Sequence, residues 1–179
     1  CVVVMKTFPD DSIDMTVTSP PYDNLRIYNG YSFDFEGIAK ELFRITKRGG
    51  IVVWVVGDMI INGSESGTSF KQALYFKECG CNIDDTMIYK KNGSPYPEKT
   101  RYFQNFEYMF VFSKGKPKTV HLIKDRKNKW LGSWGKRSVR DKNGNLHKAS
   151  IITCKEYDTR FNIWEINNGA GFSTKDKIA

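Results

Sequence analysis

Residues 51–56 read Ile51-Val52-Val53-Trp54-Val55-Val56, a continuous apolar run rich in β-branched side chains. Such a run is typical of a β-strand that is buried on both faces of a sheet. Gly57-Asp58 ends it. Before it, apolar residues recur at helical spacing between Asp34 and Arg48, and Gly49-Gly50 follows. This spacing predicts a helix over 34–48 that leads through the two glycines into the strand.

Four further segments have the patterns of regular secondary structure. They predict strands at 15–18, 86–89 and 106–112 and a helix from Thr68 to Gly80, with Phe70, Ala73, Leu74 and Phe76 facing inward. The alternation of strands and helices is typical of an α/β fold with a largely parallel sheet and helices on its faces. The last two strands have no helix between them, so we expect them to pair as an antiparallel hairpin at one edge.

The composition is that of a globular protein, with 40% hydrophobic and 14% aromatic residues among 179. No apolar stretch approaches the ~18 residues of a membrane span, so we expect no membrane partner. The two histidines have no companion ligands, and no metal site is expected. The cysteines form neither a CxxC pattern nor a paired framework, which favours reduced thiols in a cytoplasmic protein; they are Cys1, Cys79, Cys81 and Cys154.

Positive charge is concentrated in one segment. The formal net charge is +8, yet the residues between Lys114 and Arg160 include 14 Lys/Arg and only 4 Asp/Glu. Such a block favours contact with a polyanion, although a solvated loop would also account for it. Basic residues interleaved with Trp130 and Trp134 suit phosphate contacts and stacking. The residues predicted to bind DNA are Arg126, Lys127, Lys129, Lys136, Arg137 and Arg140.

A proline-rich turn, Ser19-Pro20-Pro21-Tyr22, follows the first predicted strand. Ligands of α/β sheets bind at the carboxyl ends of strands, which is where this turn lies. Both prolines have a fixed φ and no N–H, so the turn is stiff. Ser19 Oγ and the Pro20 carbonyl can accept both hydrogens of an aromatic amine, which favours a more tetrahedral and more nucleophilic nitrogen. Tyr22 can stack on a base rotated out of a duplex. The alternative is an ordinary turn or a polyproline-type ligand segment.

Two acidic residues each have two interpretations. Asp58 ends the strand of residues 51–56, so it either reaches the candidate site or caps a neighbouring segment. Glu107 lies inside an apolar strand, which indicates an edge position or a buried ion pair.

The turn and its flanks resemble one family, the amino-methyltransferases of restriction–modification systems. The catalytic motif of that family is (Asp/Asn/Ser)-Pro-Pro-(Tyr/Phe/Trp), which Ser19-Pro20-Pro21-Tyr22 matches. The family's lead-in, helix-to-strand step, later strand and return segment are matched by residues 6–18, 45–51, 105–115 and 160–166. Residues 116–159 correspond to its variable target-recognition region by position only.

The resemblance implies an S-adenosylmethionine-dependent enzyme, with a partial Rossmann-like sheet, that methylates an exocyclic amino group in double-stranded DNA. Ser19, Pro20, Pro21 and Tyr22 are implied to be catalytic, and Ser19 and Pro20 to contact the cofactor as well. Serine at position 19 favours cytosine N4 over adenine N6 by family habit. Three segments are implied: a catalytic half at 1–115, a target-recognition insert at 116–159 and a return segment at 160–179. Similar enzymes are often dimers and act on DNA of the nucleoid.

One motif of the family is not found. The family binds its cofactor with a Phe-x-Gly-x-Gly-type loop after a strand, and Gly169-Ala-Gly171-Phe172 has no strand pattern before it. In one permuted order this loop follows target recognition. We therefore expect these residues to be the catalytic and target-recognition part of a longer enzyme, with weak cofactor binding of their own. Two alternatives are a non-catalytic nucleic-acid-binding module and an RNA or protein amide methyltransferase.

Overall fold

The computed structural model describes residues 1–21, 33–92, 99–134, 138–148 and 152–166. The chain divides into two units, one formed by Cys1–Val120 with Asn162–Ala179 and the other by His121–Phe161. Tyr22, Lys136, Arg137 and residues 169–172 lie outside the described residues. None of the helices within the described ranges has the length and apolar character needed to cross a bilayer.

The elements follow one another in this order. The first unit begins with α1 (Val2–Met5), β1 (Ile13–Thr18), α2 (Phe35–Ile45), β2 (Thr46–Val56), β3 (Ile60–Ile61), β4 (Ser64–Glu65), α3 (Thr68–Glu78), β5 (Asn82–Lys91) and β6 (Phe106–Ser113). The second unit contains β7 (Arg126–Lys127), β8 (Gly132–Trp134), β9 (Ser138–Arg140), β10 (Leu146–Lys148), β11 (Ile152–Cys154) and β12 (Tyr157–Asp158). The chain returns to the first unit with β13 (Ile163–Ile166).

The first unit is built on a five-stranded sheet of order β1-β2-β6-β5-β13. β1, β2, β5 and β13 run in one direction and β6 runs against them. The predicted α/β fold with a largely parallel sheet is therefore confirmed. The predicted hairpin of β5 and β6 is present, but β6 lies in the middle of the sheet and not at an edge. Phe110 and Phe112 of β6 are 4% and 0% exposed, a burial that an edge strand would not provide.

Helices α2 and α3 pack on the same face of the sheet. The ring of Trp54, which is 1% exposed, lies 5.9 Å from Phe35 of α2 and 5.1 Å from Phe76 of α3. The path β1, β2, β5 crosses the sheet in one direction, so right-handed crossovers place both helices on one side. Val52, Trp54 and Val56 are buried on that side, whereas Ile51, Val53 and Val55 on the other are half-buried. Residues 51–56 were predicted to be buried on both faces, but only one face is fully buried and the other is half-buried.

The junction between α2 and β2 differs from its prediction. The helix ends at Ile45, because Thr46 is already extended (φ −70°, ψ 130°) and begins β2. The register of β1 and β2 shifts between the pairs Ile13↔Thr46 and Met15↔Ile51, so residues 47–50 form a bulge. At Gly50 an added Cβ would lie 2.8 Å from the Asp14 carbonyl oxygen. This glycine therefore permits close pairing with β1 and does not end the helix.

The buried stripe of α3 also differs from its prediction. Phe70 and Leu74, predicted to face inward, are 48% and 59% exposed. The buried positions of the helix are Ser69, Gln72, Ala73 and Phe76. Gln72 is buried because its Oε1 accepts a 2.8 Å hydrogen bond from Trp54 Nε1. The buried side of this helix thus combines a polar contact to the sheet with the packing of Phe76.

The four cysteines are free, and their environments differ. Cys81 is 5% exposed, and burial raises the pKa of its thiol from 9.0 to about 12. Because the folded-state pKa is the higher one, the stability linked to this thiol is complete below about pH 9 and is lost as the pH rises toward 12.

Alkylation rates should follow these environments, since the thiolate is the reacting species. We expect iodoacetamide at pH 8 to modify the exposed Cys1 first and Cys81 last in the folded protein, as measured by peptide mass spectrometry over time. In denaturant the two thiols should react at similar rates. Modification of Cys81 as fast as Cys1 without denaturant would contradict its burial.

The second unit consists of three nested antiparallel pairs. β7 pairs with β12, β8 with β11, and β9 with β10. The chain therefore runs outward through β7, β8 and β9 and returns through the partners of these strands. The predicted hairpin turn at Asp141–Asn145 joins β9 to β10 and is confirmed: Asp141 N donates to Asn145 O at 3.0 Å.

Candidate functional site

Four elements of the first unit end or begin at one edge of the sheet. Ser19-Pro20-Pro21 follows β1, and Gly57-Asp58 follows the parallel strand β2. β5, which also runs parallel to them, ends at Lys91. Because β6 runs in the opposite direction, its second residue, Glu107, lies at the same edge. This carboxyl edge, defined by these residues, is where ligands of α/β sheets bind.

The proline turn directly follows β1, which pairs with β2 in the sheet. Thr18, the last residue of β1, pairs with Trp54 of β2. Pro20 is buried and Pro21 half-buried, whereas Ser19 is exposed. The ring of Pro20 fixes φ, and the proline that follows restricts the ψ that directs the Pro20 carbonyl. The structure thus provides a rigid acceptor at Pro20 next to a hydroxyl at Ser19 that solvent can reach; Tyr22 lies outside the described residues.

Asp58 caps helix α3. Its Oδ1 accepts hydrogen bonds from Ser69 N at 2.8 Å and Ser66 Oγ at 3.1 Å. Its Oδ2 accepts a short hydrogen bond from Ser69 Oγ. The N-cap residue itself, Gly67, has no side chain to fill this role. Of the two interpretations of Asp58, the structure supports the capping one, with a carboxylate at the positive end of the helix.

Removal of this cap should lower stability without changing the chemistry. We expect Asp58→Ala to reduce the free energy of unfolding by about 1–2 kcal/mol, because three hydrogen bonds at the start of α3 are lost. Asp58→Asn keeps one acceptor oxygen and should lose less. Urea unfolding measures both changes. If Asp58→Asn unfolds like the wild type yet abolishes the activity of the protein, the residue belongs to the site and not to the cap.

Glu107 forms an ion pair in which the carboxylate is buried and the lysine is half-buried. The residue is 9% exposed, and its carboxylate pairs with Lys91 Nζ at the end of β5. This outcome confirms the ion-pair interpretation of Glu107. Lys91 was not predicted from the sequence, although a carboxylate within an apolar strand requires a nearby cation. The pair gives the carboxyl edge a fixed polar element two strands away from Ser19.

The predicted DNA-binding residues have different environments. Arg126 donates from Nε to Thr159 O at 2.9 Å and from Nη1 to Asn128 Oδ1 at 2.8 Å, and Nη2 lies 3.2 Å from Asp158. Lys127 lies 3.7 Å from Glu156. Lys129 and Arg140 are exposed, and neither forms an ion pair within the described ranges. Lys136 and Arg137 fall outside those ranges.

Two other features bear on the location of the site. A cleft of about 370 Å³ is lined by Lys40, Phe43, Tyr75, Glu78 and Cys79. Phe43 lies near the end of α2, which leads directly into the start of β2, so this cleft is at the opposite end of the strand from Gly57.

In the described part of the chain, no three His, Cys, Asp or Glu side chains are grouped to hold a metal ion.

Comparison with known sequences gives one family and two relatives. The sequence profile of a family described as DNA methylase, of the N6/N4 type, matches residues 13–178. The orphan methyltransferase M.BamHII of Bacillus amyloliquefaciens is 58% identical over 177 residues, which cover 95% of this chain and 65% of M.BamHII. The type II beta methyltransferase M.BslI of Bacillus sp. (strain NEB-606) is 29% identical over 163 residues, 76% of this chain and 18% of M.BslI.

Solved structures share the fold. PvuII DNA methyltransferase (cytosine-N4-specific) has a TM-score of 0.58 at 17% identity, over 97% of this chain and 57% of the other. TTHA0409 from Thermus thermophilus, complexed with S-adenosyl-L-methionine, has a TM-score of 0.52 at 24% identity, over 69% and 56%. The chain thus spans somewhat more than half of the length of these structures and 65% of M.BamHII.

Proposed function

This chain belongs to the N6/N4 DNA methylase family, a family of DNA amino-methyltransferases, and on that premise we propose that it is the catalytic and target-recognition part of a DNA methyltransferase. The observation that carries the proposal is the placement of Ser19-Pro20-Pro21 at the carboxyl edge, with Pro20 buried and Ser19 exposed, in a sequence motif that Tyr22 completes. The 58% identity to M.BamHII supports it.

The proposed reaction is methylation of the exocyclic amino group of a base. Ser19 Oγ and the Pro20 carbonyl accept the two amino hydrogens, which localises the lone pair on the nitrogen. A new N–C bond forms as the C–S bond of the methyl donor breaks, and one amino proton is then released. Most of the rate enhancement comes from holding the nitrogen in line for attack. Since an amino group within a duplex is not accessible, the base is extruded and stacks on Tyr22.

The proposed cofactor is S-adenosylmethionine, which supplies a methyl group on a sulfonium when bound. Ser19 and Pro20 are the described residues that would contact its reactive end. The fit is chemical: a solvent-accessible hydroxyl and a fixed carbonyl at Ser19 and Pro20 present partial negative charge to a cation. The solved structure of TTHA0409, with the same fold, is a complex with this cofactor.

The base that we favour is cytosine, methylated at N4, with adenine N6 as the alternative. The support is Ser19, since serine at this position leans toward cytosine by family habit. The partner is double-stranded DNA, and homodimer formation stays a prediction from the resemblance. We assign target recognition to the inserted segment 116–159. Residues 121–159 of this segment belong to the second unit and include 10 of the 12 Lys/Arg of the segment.

Radiolabelled S-adenosylmethionine tests the proposal. The full-length protein should transfer label to duplex DNA and not to RNA or to protein. Nucleoside mass spectrometry should then identify N4-methylcytosine. N6-methyladenine would change the assigned base and leave the reaction class intact. Label in RNA or protein alone would overturn the DNA assignment, and DNA binding with no transfer would favour a non-catalytic module.

A further inference from the structure

The acidic residues of the second unit divide its cations into two sets. The unit contains four acidic residues, Asp125, Asp141, Glu156 and Asp158. Asp125, Glu156 and Asp158 pair with Arg160, Lys127 and Arg126, at the two ends of the chain segment that forms the unit. Asp125 holds Arg160 through two of its guanidinium nitrogens. Three of the four carboxylates therefore neutralise the β7–β12 end, and the fourth, Asp141, lies in the turn of the β9–β10 hairpin.

Arg126 is bound internally and is poorly suited to contact DNA. All three of its guanidinium nitrogens have partners within the unit. Its guanidinium also lies 4.5 Å from the ring of Phe161. A new partner would have to replace these contacts, so Arg126 serves to close the β7–β12 end.

The two strands of the β9–β10 hairpin carry an arginine and a lysine on the same face. Its ladder pairs Arg140 with Leu146, Val139 with His147, and Ser138 with Lys148. Opposed residues of an antiparallel pair share a face, and faces alternate along each strand. The first face therefore presents Ser138, Arg140, Leu146 and Lys148, and the second face presents Val139 and His147. Arg140 and Lys148 are diagonal neighbours, about 7–8 Å apart by strand geometry.

Asp141, the one acidic residue of the hairpin, contacts His147 of the second face and the backbone of the turn. Asp141 Oδ2 lies 2.8 Å from His147 Nε2, and Asp141 Oδ1 accepts from Asn143 N at 2.8 Å and Asn145 N at 3.0 Å. This side chain thus orders the turn and faces away from the two cations. Arg140 donates from Nη1 to Gly144 O at 3.0 Å, which orients its guanidinium and leaves its other N–H groups available in the described structure.

We propose that the first face of the β9–β10 hairpin is the surface that enters the major groove of the DNA substrate. A two-stranded ribbon fits the ~12 Å width of that groove. An oriented arginine suits the O6 and N7 of guanine, and the apolar side chain of Leu146, 63% exposed, suits a thymine methyl group. Lys148 and Lys142 suit phosphates. This inference rests on the proposed function and assigns DNA contact to the hairpin instead of to Arg126 and Lys127.

The test compares variants of the hairpin on two duplexes. One duplex contains a site mapped by sequencing DNA methylated by the wild-type full-length protein, and the other is a scrambled sequence of equal length. We expect Arg140→Ala to weaken binding to the mapped site by about 5- to 150-fold, and binding to the scrambled duplex much less. Lys148→Ala should weaken binding to both duplexes and reduce the salt slope by about 1.

Two variants serve as matched controls. Lys155→Ala removes one charge from the same unit outside the hairpin, and Val139→Thr alters the second face of the hairpin. Both should bind the two duplexes like the wild type. Thermal unfolding shows that every variant is folded.

Two results would overturn the inference, and they can be told apart. If the wild type discriminates between the duplexes and Arg140→Ala and Lys148→Ala bind like it, the hairpin is not the contact surface, although the proposed function stands. If the wild-type full-length protein methylates no DNA and does not bind duplex DNA, no site can be mapped, and the proposed function fails together with the inference.

Discussion

Tyr22→Ala is expected to lower the rate of methyl transfer by about 5- to 150-fold. The ring is proposed to stack on the extruded base, a contact worth about 1–3 kcal/mol. Tyr22 directly follows Pro20-Pro21 in the sequence. Single-turnover methylation of the mapped duplex with saturating cofactor measures the effect on chemistry separately from the effect on binding.

Tyr22→Phe is the matched control for this prediction. It keeps the ring and removes only the hydroxyl, and phenylalanine is allowed by the family motif, so its rate should stay within a few fold of the wild type. Duplex affinity of the alanine variant should also stay close to that of the wild type, because most DNA contacts are assigned to the second unit. Equal rates for the alanine and phenylalanine variants would show that the ring takes no part in the reaction.

Trp54→Ala is expected to have the largest effect on stability. Loss of a fully buried tryptophan costs about 3–5 kcal/mol through lost packing and the cavity that remains. The indole contacts Phe35 and Phe76, so both helices lose a contact to the sheet. Gln72 would also keep a buried amide oxygen without its donor, which costs a further 1–3 kcal/mol or so. Since domains are stable by roughly 5–15 kcal/mol, urea unfolding should show a much weakened or unfolded protein.

A second substitution separates packing from hydrogen bonding. Trp54→Phe retains an aromatic ring but removes the donor to Gln72, so we expect a clear loss of unfolding free energy. Adding Gln72→Leu removes the orphaned amide and should recover part of that loss, which a double-mutant cycle would show as coupling. Leu74→Ala, on the exposed face of α3, serves as the control and should change stability by less than about 1 kcal/mol. Strict additivity of the two core substitutions would contradict the described hydrogen bond.

The sequence predicted the elements better than their arrangement. The apolar run at 51–56 and the strand over 106–112 were identified because side-chain patterns report local structure and burial directly. The position of β6 between β2 and β5 could not be read in this way, since strand order depends on pairing between distant segments. For the same reason the local sequence predicts a helix end at Gly49-Gly50, because the close approach of Gly50 to Asp14 of β1 depends on a distant segment.

The orientation of α3 shows another limit of pattern analysis. Periodicity assigns Phe70 and Leu74 to the core, but both are exposed in the structure. The helix instead turns Gln72 toward the sheet, where it accepts a hydrogen bond from Trp54. In the candidate site, too, local features were predictable and contacts between distant segments were not. The motif Ser19-Pro20-Pro21-Tyr22 is local and was found, whereas the pairing of Glu107 with Lys91 and the neutralisation of Arg126 by Asp158 depend on strand register. A count of charges between Lys114 and Arg160 cannot distinguish a cation that is paired within the protein, such as Arg126, from one that is exposed, such as Arg140.

The central position of β6 also affects how the protein can assemble during translation. β1 and β2 are adjacent in the sheet and can pair early, but β5 has both of its neighbours, β6 and β13, later in the chain. One edge of β2 and one edge of β5 therefore stay open until residues 106–113 leave the ribosome, and the other edge of β5 stays open until residues 163–166 do. Open strand edges are templates for wrong pairing. The strand that completes the core of the sheet thus sets the length of the interval in which the nascent chain is most prone to aggregate.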